Sequence, residues 1–392
     1  MELRFATRSK SVMNRQSVNS IGRLSAMAAL GILLSACATI APVETPPLPE
    51  LLGQPHYDIE SVDPLEISNE MKQFVATNLA TRNPDKDRAW LLAYSMLDRN
   101  LFNFTYDPTV TLTAKEAFRA RRGNCLTFSN MFIALAREAG LDAWYREVEI
   151  QPEWSHRDET LLVSMHVNAG TVERMNKYVI DVSGRVTRRG ERFRKLDDRE
   201  AEAQFYNNLG ANALVVEDLA MAYAYFRKAD ETQPGLTYIW SNAGVVLNRN
   251  GQQDDAIMAY ETALTLDGDH SVALNNLYTI YEGRGDMERA MELQREVEHY
   301  RRRNPYYVHY LAQVAFAENL LDEAIDYTNR AIRMEDREYR FHYTLAKLQY
   351  RTGRSNRAES SLERAIRLAP KWVETAQLVL PGEVPELPTN EE

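Results

Sequence analysis

Cys125 stands where a cysteine could serve as a nucleophile. It follows Gly123-Asn124 and opens the segment CLTFSNMFIALAREAGL, in which apolar residues recur at helical spacing as far as Gly140. This spacing predicts a helix that begins at the cysteine. Unpaired N–H groups at such a helix start favour a thiolate, and they can hold an oxyanion during acyl transfer. The alternative is an inert cysteine packed under the helix, which is a common place for a free thiol.

Two segments that alternate between apolar and polar residues follow, and each contributes a titratable side chain. LLVSMHVNAG carries His166 on its more polar face, accessible to a partner, and KYVIDVSG carries Asp181. Aspartate is disfavoured inside strands, and orienting a histidine is one reason for Asp181 to be there. If the two strands are neighbours, Asp181 can hold His166, which in turn can deprotonate Cys125. His156, in the loop WSHRDE, is the rival base.

The order of these residues resembles the transglutaminase-like superfamily. A Gly-x-Cys at a helix start is followed after 41 residues by a histidine and after 15 more by an aspartate, on successive strands. TAKEAFRARRGNC, NMFIALAREAGLDAWYREV and YVIDVSG carry the resemblance, which covers about residues 101–184. It implies a papain-like α+β fold, with Cys125 as the nucleophile, His166 as base and acid, and Asp181 as the orienting residue. It also implies acyl chemistry on peptide or protein amides, ending on water or on an amine, although some members are inactive.

The C-terminal half of the chain repeats itself every 34 residues. Alanine recurs at this period, and so does asparagine near the start of the first three units: Ala222, Ala256, Ala290, Ala324, Ala358; Asn208, Asn242, Asn276. The pattern resembles the tetratricopeptide repeat, in which each unit is a pair of helices. It predicts five repeats stacked into an all-α superhelix with a groove for a peptide or protein partner. We interpret the asparagines first as helix-packing residues and second as ligand contacts.

The N-terminal residues have the pattern of a targeting segment. Residues 1–23 carry a net charge of +4, and an apolar run from Leu24 to Ala36 follows, which is typical of a signal peptide. At about 1.5 Å per residue this run is too short to span a bilayer. Leu34-Ser35-Ala36-Cys37 resembles the lipobox of bacterial lipoproteins, which implies lipidation of Cys37. With Ala38 next, the resemblance implies an outer-membrane protein that faces the periplasm. An ordinary secretory signal with a chance cysteine is the alternative.

Composition excludes several other classes of protein. The chain has 392 residues, with 46 Lys and Arg against 56 Asp and Glu, so a nucleic-acid partner that needs a broad basic surface is not expected. Two cysteines cannot build a disulfide framework or a zinc site made mainly of thiolates. No phosphate-binding loop or nucleotide fingerprint is present, so we expect neither a cofactor nor a metal.

These patterns divide the chain into five parts. They are a lipoprotein signal peptide (1–36), a proline-rich tether (37–64), a transglutaminase-like domain (65–200), five repeats (201–372) and a disordered acidic tail (373–392). Six basic residues between 185 and 195 are interpreted as partners of acidic repeat helices, in preference to an anion site. The predicted function is that of an envelope-anchored lipoprotein whose Cys-His-Asp domain acts on peptide or protein amides, with the repeats recruiting substrate or partner. The alternatives are a non-catalytic scaffold and a biogenesis factor acting through protein interactions alone.

Overall fold

A computed structural model describes residues 45–79, 87–98, 100–148, 166–174, 176–183, 192–370 and 378. In the N-terminal part the elements, in chain order, are α1 (Asn69–Leu79), α2 (Arg88–Leu97), β1 (Thr105–Tyr106), α3 (Ala114–Ala120), β2 (Arg122–Gly123), α4 (Cys125–Glu138), β3 (Asp142–Val148), β4 (His166–Glu173), β5 (Asn176–Ile180) and β6 (Phe193–Leu196). The C-terminal part is helical: α5 (Asp198–Val215), α6 (Leu219–Thr232), α7 (Thr237–Arg249), α8 (Gln253–Leu266), α9 (Ser271–Arg284), α10 (Met287–Arg303), α11 (Pro305–Ala317), α12 (Leu321–Met334), α13 (Tyr339–Arg351) and α14 (Ser355–Leu368).

An antiparallel sheet of four strands, in the order β5-β4-β3-β6, packs against α4. Most of α4 is buried, and its apolar side chains Phe128, Phe132 and Leu135 are fully covered. The hydroxyl of Tyr145 on β3 donates to Asn130 Oδ1 of α4 at 2.8 Å, which satisfies a buried polar pair between helix and sheet. A buried helix on a small antiparallel sheet confirms the predicted α+β class.

The ten helices from α5 to α14 form five antiparallel pairs, as the period of 34 predicts. Small residues let the helices of a pair approach closely, since a Cβ atom at Gly244 would lie 2.6 Å from the Tyr260 ring. Asn242 and Asn276 are buried, and Asn242 Nδ2 donates to Asn207 Oδ1 at 2.9 Å. Their burial supports the interpretation of the recurring asparagines as helix-packing residues.

The sheet domain and the first repeats share one continuous hydrophobic core, which runs from Met71 to Ala290. Ion pairs cross the boundary between them. Arg137 of α4 donates to both carboxylate oxygens of Asp198 at 2.6 and 2.8 Å, and Arg194 of β6 bridges Glu147 and Glu200. Arg194 thus pairs with an acidic repeat helix, as expected for the basic cluster; its members between residues 185 and 191 lie outside the described residues.

The proline-rich stretch is attached to the repeats along its described part. This N-terminal segment, residues 45–62, has no helix or strand and turns at Leu52-Gly53, and its backbone carbonyls accept hydrogen bonds from repeat side chains. The donors are Tyr223 to Pro49, Gln252 to Glu50 at 2.9 Å, Asn250 to Leu52 at 3.0 Å and Arg227 to Tyr57 at 2.8 Å. The tether expected for residues 37–64 is therefore bound from residue 45 onward. The physical reason is that a chain outside helices and strands leaves its carbonyls open to side-chain donors.

Candidate active site

Cys125 is the first residue of α4, as the sequence predicts. Asn124 caps the helix, because its Oδ1 accepts the Thr127 N–H at 2.9 Å. Its Nδ2 donates to Thr111 Oγ1 at 2.8 Å, and its own N–H bonds to Val110 O at 2.8 Å. The residue before the cysteine is thus held on three sides, so the position of the sulfur is fixed by the helix start and by the segment that precedes α3.

Gly123 belongs to the same arrangement for a steric reason. Its φ is +156°, and a Cβ atom there would lie 2.2 Å from Thr127 Cγ2. Thr127 cannot move easily, since its Oγ1 accepts from Leu112 N at 2.9 Å and bonds to Val110 O at 3.2 Å. The glycine of the Gly-x-Cys motif therefore allows the chain to pass close to the first turn of α4.

His166 and Asp181 form a close pair on neighbouring strands. His166 is the first residue of β4, and Asp181 directly follows the last residue of the adjacent β5. His166 Nε2 lies 2.6 Å from Asp181 Oδ2, while the N–H and hydroxyl of Ser183 donate to Asp181 Oδ1 at 2.9 and 2.7 Å. The aspartate thus holds one ring nitrogen and leaves Nδ1 for another partner. The Cys125 side chain is close enough to the His166 ring to help raise the pKa of His166, so the three residues lie together.

Two expectations about this pair are wrong in detail. His166 is not accessible, since only 7% of it is exposed. Alternation along a strand identifies the face on which a side chain lies. It does not indicate whether tertiary contacts bury that face, as they do here. Asp181 lies just beyond the strand and not within it, which removes the conflict between aspartate and strand structure.

The positive charge of His166 and the negative charge of Asp181 stabilise each other. Burial alone would lower the pKa of His166, but the Asp181 carboxylate, its hydrogen bond and the Cys125 sulfur raise this pKa to about 10. Burial would raise the pKa of Asp181, but the charge and hydrogen bond of His166, helped by Ser183 and Asn168, hold it well below its usual range. His166 is therefore an imidazolium at neutral pH, facing a carboxylate on one side and the cysteine on the other.

Two further residues extend the pair along the sheet, and sequence reasoning missed their role. Asn168 Nδ2 donates to Asp181 Oδ2 at 3.1 Å, and Asn168 Oδ1 accepts from Arg146 Nη1 at 3.1 Å. Both residues are buried, and they are directly paired between β4 and β3. Asn168 follows His166 by two positions, so the alternation already indicated that the two share a face. The partner on β3 depends on strand register, which no local signal supplied.

Other predicted site residues cannot be placed. Cys37, the predicted lipidation site, and His156, the rival base, lie outside the described residues. Within the described ranges, no group of His, Cys, Asp and Glu side chains could hold a metal ion. In the same ranges no helix is long and apolar enough to cross a bilayer.

Two family models match parts of the chain. Residues 73–172, which include Cys125 and His166, match the transglutaminase-like superfamily. Residues 237–270 and 339–371 match the tetratricopeptide repeat.

Individual relatives align over part of the chain. The photosystem I assembly protein Ycf3 of Rippkaea orientalis is 30% identical over 146 residues, which are 36% of this chain and 73% of that protein. The tetratricopeptide repeat-containing protein trd-1 of Caenorhabditis elegans is 31% identical over 126 residues, 31% of this chain and 16% of that protein. Among solved structures, the pilF protein of Pseudomonas aeruginosa is 18% identical with a TM-score of 0.30, covering 46% of this chain and 83% of that chain. The chain therefore carries a transglutaminase-like domain followed by tetratricopeptide repeats.

Proposed function

We propose that this protein is a cysteine-dependent acyl-transfer enzyme of the cell envelope, acting on amide bonds of peptides or proteins. The observation that carries the proposal is the 2.6 Å contact between His166 Nε2 and Asp181 Oδ2, with the cysteine at the helix start close to the same histidine. An imidazolium beside a sulfur atom at a helix N-terminus is the environment that favours a thiolate. Cysteine acyl transfer needs this nucleophile and a nearby acid.

The chemistry proceeds in two steps. The Cys125 sulfur attacks the carbonyl carbon of an amide, and the imidazolium of His166 gives its proton to the departing amine as a thioester forms. Water or a second amine then attacks the thioester, and neutral His166 takes the proton of the attacking group. Asp181 keeps the ring oriented and stabilises its charged form.

The helix start also supplies hydrogen-bond donors for the oxyanion that forms at each attack. Asn124 Oδ1 already occupies the Thr127 N–H, so the first two N–H groups of α4, at Cys125 and Leu126, remain without an acceptor inside the helix. A substrate oxygen beside the sulfur is within reach of these groups. We assign them the role of the oxyanion donors.

A trapped acyl-enzyme tests the activity. Mature protein would be mixed with a peptide active ester and analysed by mass spectrometry. We expect one acyl adduct on Cys125, absent from Cys125→Ala and formed on the order of 100-fold more slowly by His166→Ala. Acylation at the same rate in His166→Ala would contradict the proposed mechanism and favour a non-catalytic domain.

We further propose that lipid on Cys37 anchors the protein to the outer membrane, where it faces the periplasm. The support is the sequence Leu34-Ser35-Ala36-Cys37 after a basic and apolar leader. Removal of residues 1–36 changes the net charge from −10 to −14, so anionic lipids would repel the mature chain and the lipid must supply the attachment. Cys37→Ser should move the protein to the soluble fraction, whereas the matched Cys125→Ser should stay with membranes. Retention of Cys37→Ser on membranes would contradict the anchor.

The repeats fit a recruiting role. Tetratricopeptide repeats mediate contacts between proteins, and their stacked first helices form an extended surface suited to a peptide. The first repeats share one core with the sheet domain, which fixes their part of this surface relative to Cys125. A substrate or partner held by the first repeats is therefore presented at a constant position.

A further inference from the structure

Two helices of the last repeats differ from the rest of this acidic chain. The first helices of repeats four and five, α11 (PYYVHYLAQVAFA) and α13 (YRFHYTLAKLQYR), contain eight aromatic residues and no Asp or Glu. Their second helices, α12 and α14, carry five carboxylates. The three cations of the first helices thus have no carboxylate on the same helices, whereas the five arginines of the second helices are matched by five carboxylates.

The two first helices meet at His309. Its ring lies 4.7 Å from the Phe341 ring centroid, and its Nε2 lies 2.9 Å from Thr344 Oγ1 of α13. Lys347, one turn further along α13, places its Nζ 4.7 Å from the Tyr343 ring centroid. We call His309, Tyr343 and Lys347 the first-helix site.

Among the residues that the structure describes, no carboxylate pairs with Lys347 at this site. Burial lowers the pKa of Lys347. Burial, together with the charges of Arg340 and Lys347, lowers the pKa of His309 to about 4. Glu338, the nearby acid, is occupied by Arg340, whose Nε lies 2.8 Å from Glu338 Oε1. A half-buried ammonium without an acid is costly, and a bound carboxylate would offset that cost.

The chain itself contains a segment of matching chemistry. Residues 381–392, PGEVPELPTNEE, carry four glutamates and no basic residue. The segment begins eleven residues after Pro370, the end of the continuous description, and eleven residues can span about 35 Å. That reach exceeds the width of a helix pair, whose axes are about 10 Å apart. Leu378, three residues before the acidic segment, is 8% exposed, so its side chain is packed against protein.

We propose that the first-helix site binds glutamate carboxylates of the chain's own C-terminal segment, residues 381–392. Prolines at three positions limit the unbound conformations of this segment and so reduce the entropy lost on binding. The tail then occupies the surface that an acidic partner peptide would need, and such a partner must displace it. The inference goes beyond the proposed function and does not depend on chemistry at Cys125.

Binding of a labelled tail peptide tests the proposal in the full mature chain. The probe is fluorescein-labelled peptide 381–392, and its affinity is measured by fluorescence anisotropy. A neutral-tail variant, with Glu383, Glu386, Glu391 and Glu392 changed to Gln, leaves the site open. We expect it to bind the probe at least about tenfold more tightly than the wild type, whose own tail competes at high effective concentration.

A second substitution in the neutral-tail variant locates the binding site. Lys347→Met keeps the apolar stem against Tyr343 and removes the charge, so we expect about tenfold weaker probe binding with an unchanged melting temperature. Arg357→Ala, an exposed cation on α14, is the matched control and should leave probe binding unchanged. Equal probe binding by wild type and neutral-tail variant would overturn occupancy by the tail. Binding indifferent to Lys347→Met would overturn the site.

Discussion

At the scale of single residues, the site depends on a histidine whose charge is supported from two sides. Asp181 and the cysteine both stabilise the imidazolium, while Ser183 and Asn168 hold the carboxylate that faces it. Asn168 connects this carboxylate to the buried guanidinium of Arg146. The reacting residues thus belong to a hydrogen-bonded series that ends at Arg146 on a third strand. Substitution of Arg146 should therefore change the reactivity of the Cys125 sulfur.

The pair predicts a specific dependence of stability on pH. Because the folded-state pKa of His166, about 10, exceeds its unfolded value of 6.5, its stabilising contribution is complete below pH 6.5 and is lost as the pH rises through 10. Asp181 has a depressed pKa, so its contribution is present above pH 4 and is lost under stronger acid. Urea unfolding of wild type and Asp181→Asn should therefore differ most between pH 4 and 6.5, and the difference should disappear by about pH 11.

Asp142→Asn is the control for that comparison, since Asp142 is an exposed acid on the same sheet. It should leave the unfolding free energy nearly unchanged at every pH. A stability difference for Asp181→Asn that grows as the pH rises toward 10 would have the opposite sign from the one expected.

At the scale of elements, the start of α4 positions the nucleophile, and Gly123 shows how little space remains there. Gly123→Ala adds a Cβ atom 2.2 Å from Thr127 Cγ2 at a φ of +156°. We expect the substitution to lower the unfolding free energy by about 1–3 kcal/mol. It should also slow alkylation of Cys125 by iodoacetamide, because the first turn of α4 must shift.

Gly140→Ala separates backbone strain from steric overlap. Gly140 has a φ of +72° but no atom within 4 Å of its added Cβ. It should therefore destabilise the protein less than Gly123→Ala and leave the alkylation rate unchanged. Equal alkylation rates in the two variants would show that the close approach at Gly123 does not position Cys125.

Sequence patterns predicted the elements that carry Cys125 and His166, but they did not predict what surrounds these residues. Helical spacing after Cys125 and alternation around His166 are local signals, and both gave elements that the structure contains. The burial of His166 and the contact between Asn168 and Arg146 depend on strand register and on tertiary cover, which local patterns do not encode. The N-terminal segment lacks apolar periodicity and is held through its carbonyls by residues up to 202 positions away, so no local signal predicted its attachment.

At the scale of the whole molecule, the N-terminal segment joins the predicted membrane anchor to the repeats. Gln252 and Arg227 hold it at two places, through Glu50 and Tyr57. Only residues 38–44 then separate Cys37 from the bound part of the chain, which at about 3.5 Å per residue is a reach of about 25 Å. A protein anchored at Cys37 would keep its first repeats close to the bilayer.

Limited proteolysis tests the attachment of this segment. The double variant Arg227→Ala and Gln252→Ala removes two of its donors, so cleavage between residues 45 and 62 should become several-fold faster than in the wild type. Arg367→Ala, which breaks an exposed contact with Glu363 on α14, is the control and should cleave at the wild-type rate. Wild-type protein cleaved as fast as the double variant would mean that the segment is not held.

The pH dependence of Cys125 alkylation decides between a poised nucleophile and an inert thiol. It would be measured on mature protein with Cys37 replaced by Ser, so that Cys125 is the only thiol, with and without His166→Ala. We expect rapid alkylation already near pH 6, where an ordinary thiol reacts slowly, and a shift of the profile to higher pH by at least about one unit in His166→Ala. A profile rising only near pH 8.5 and unaffected by His166→Ala would contradict a catalytic role for the triad.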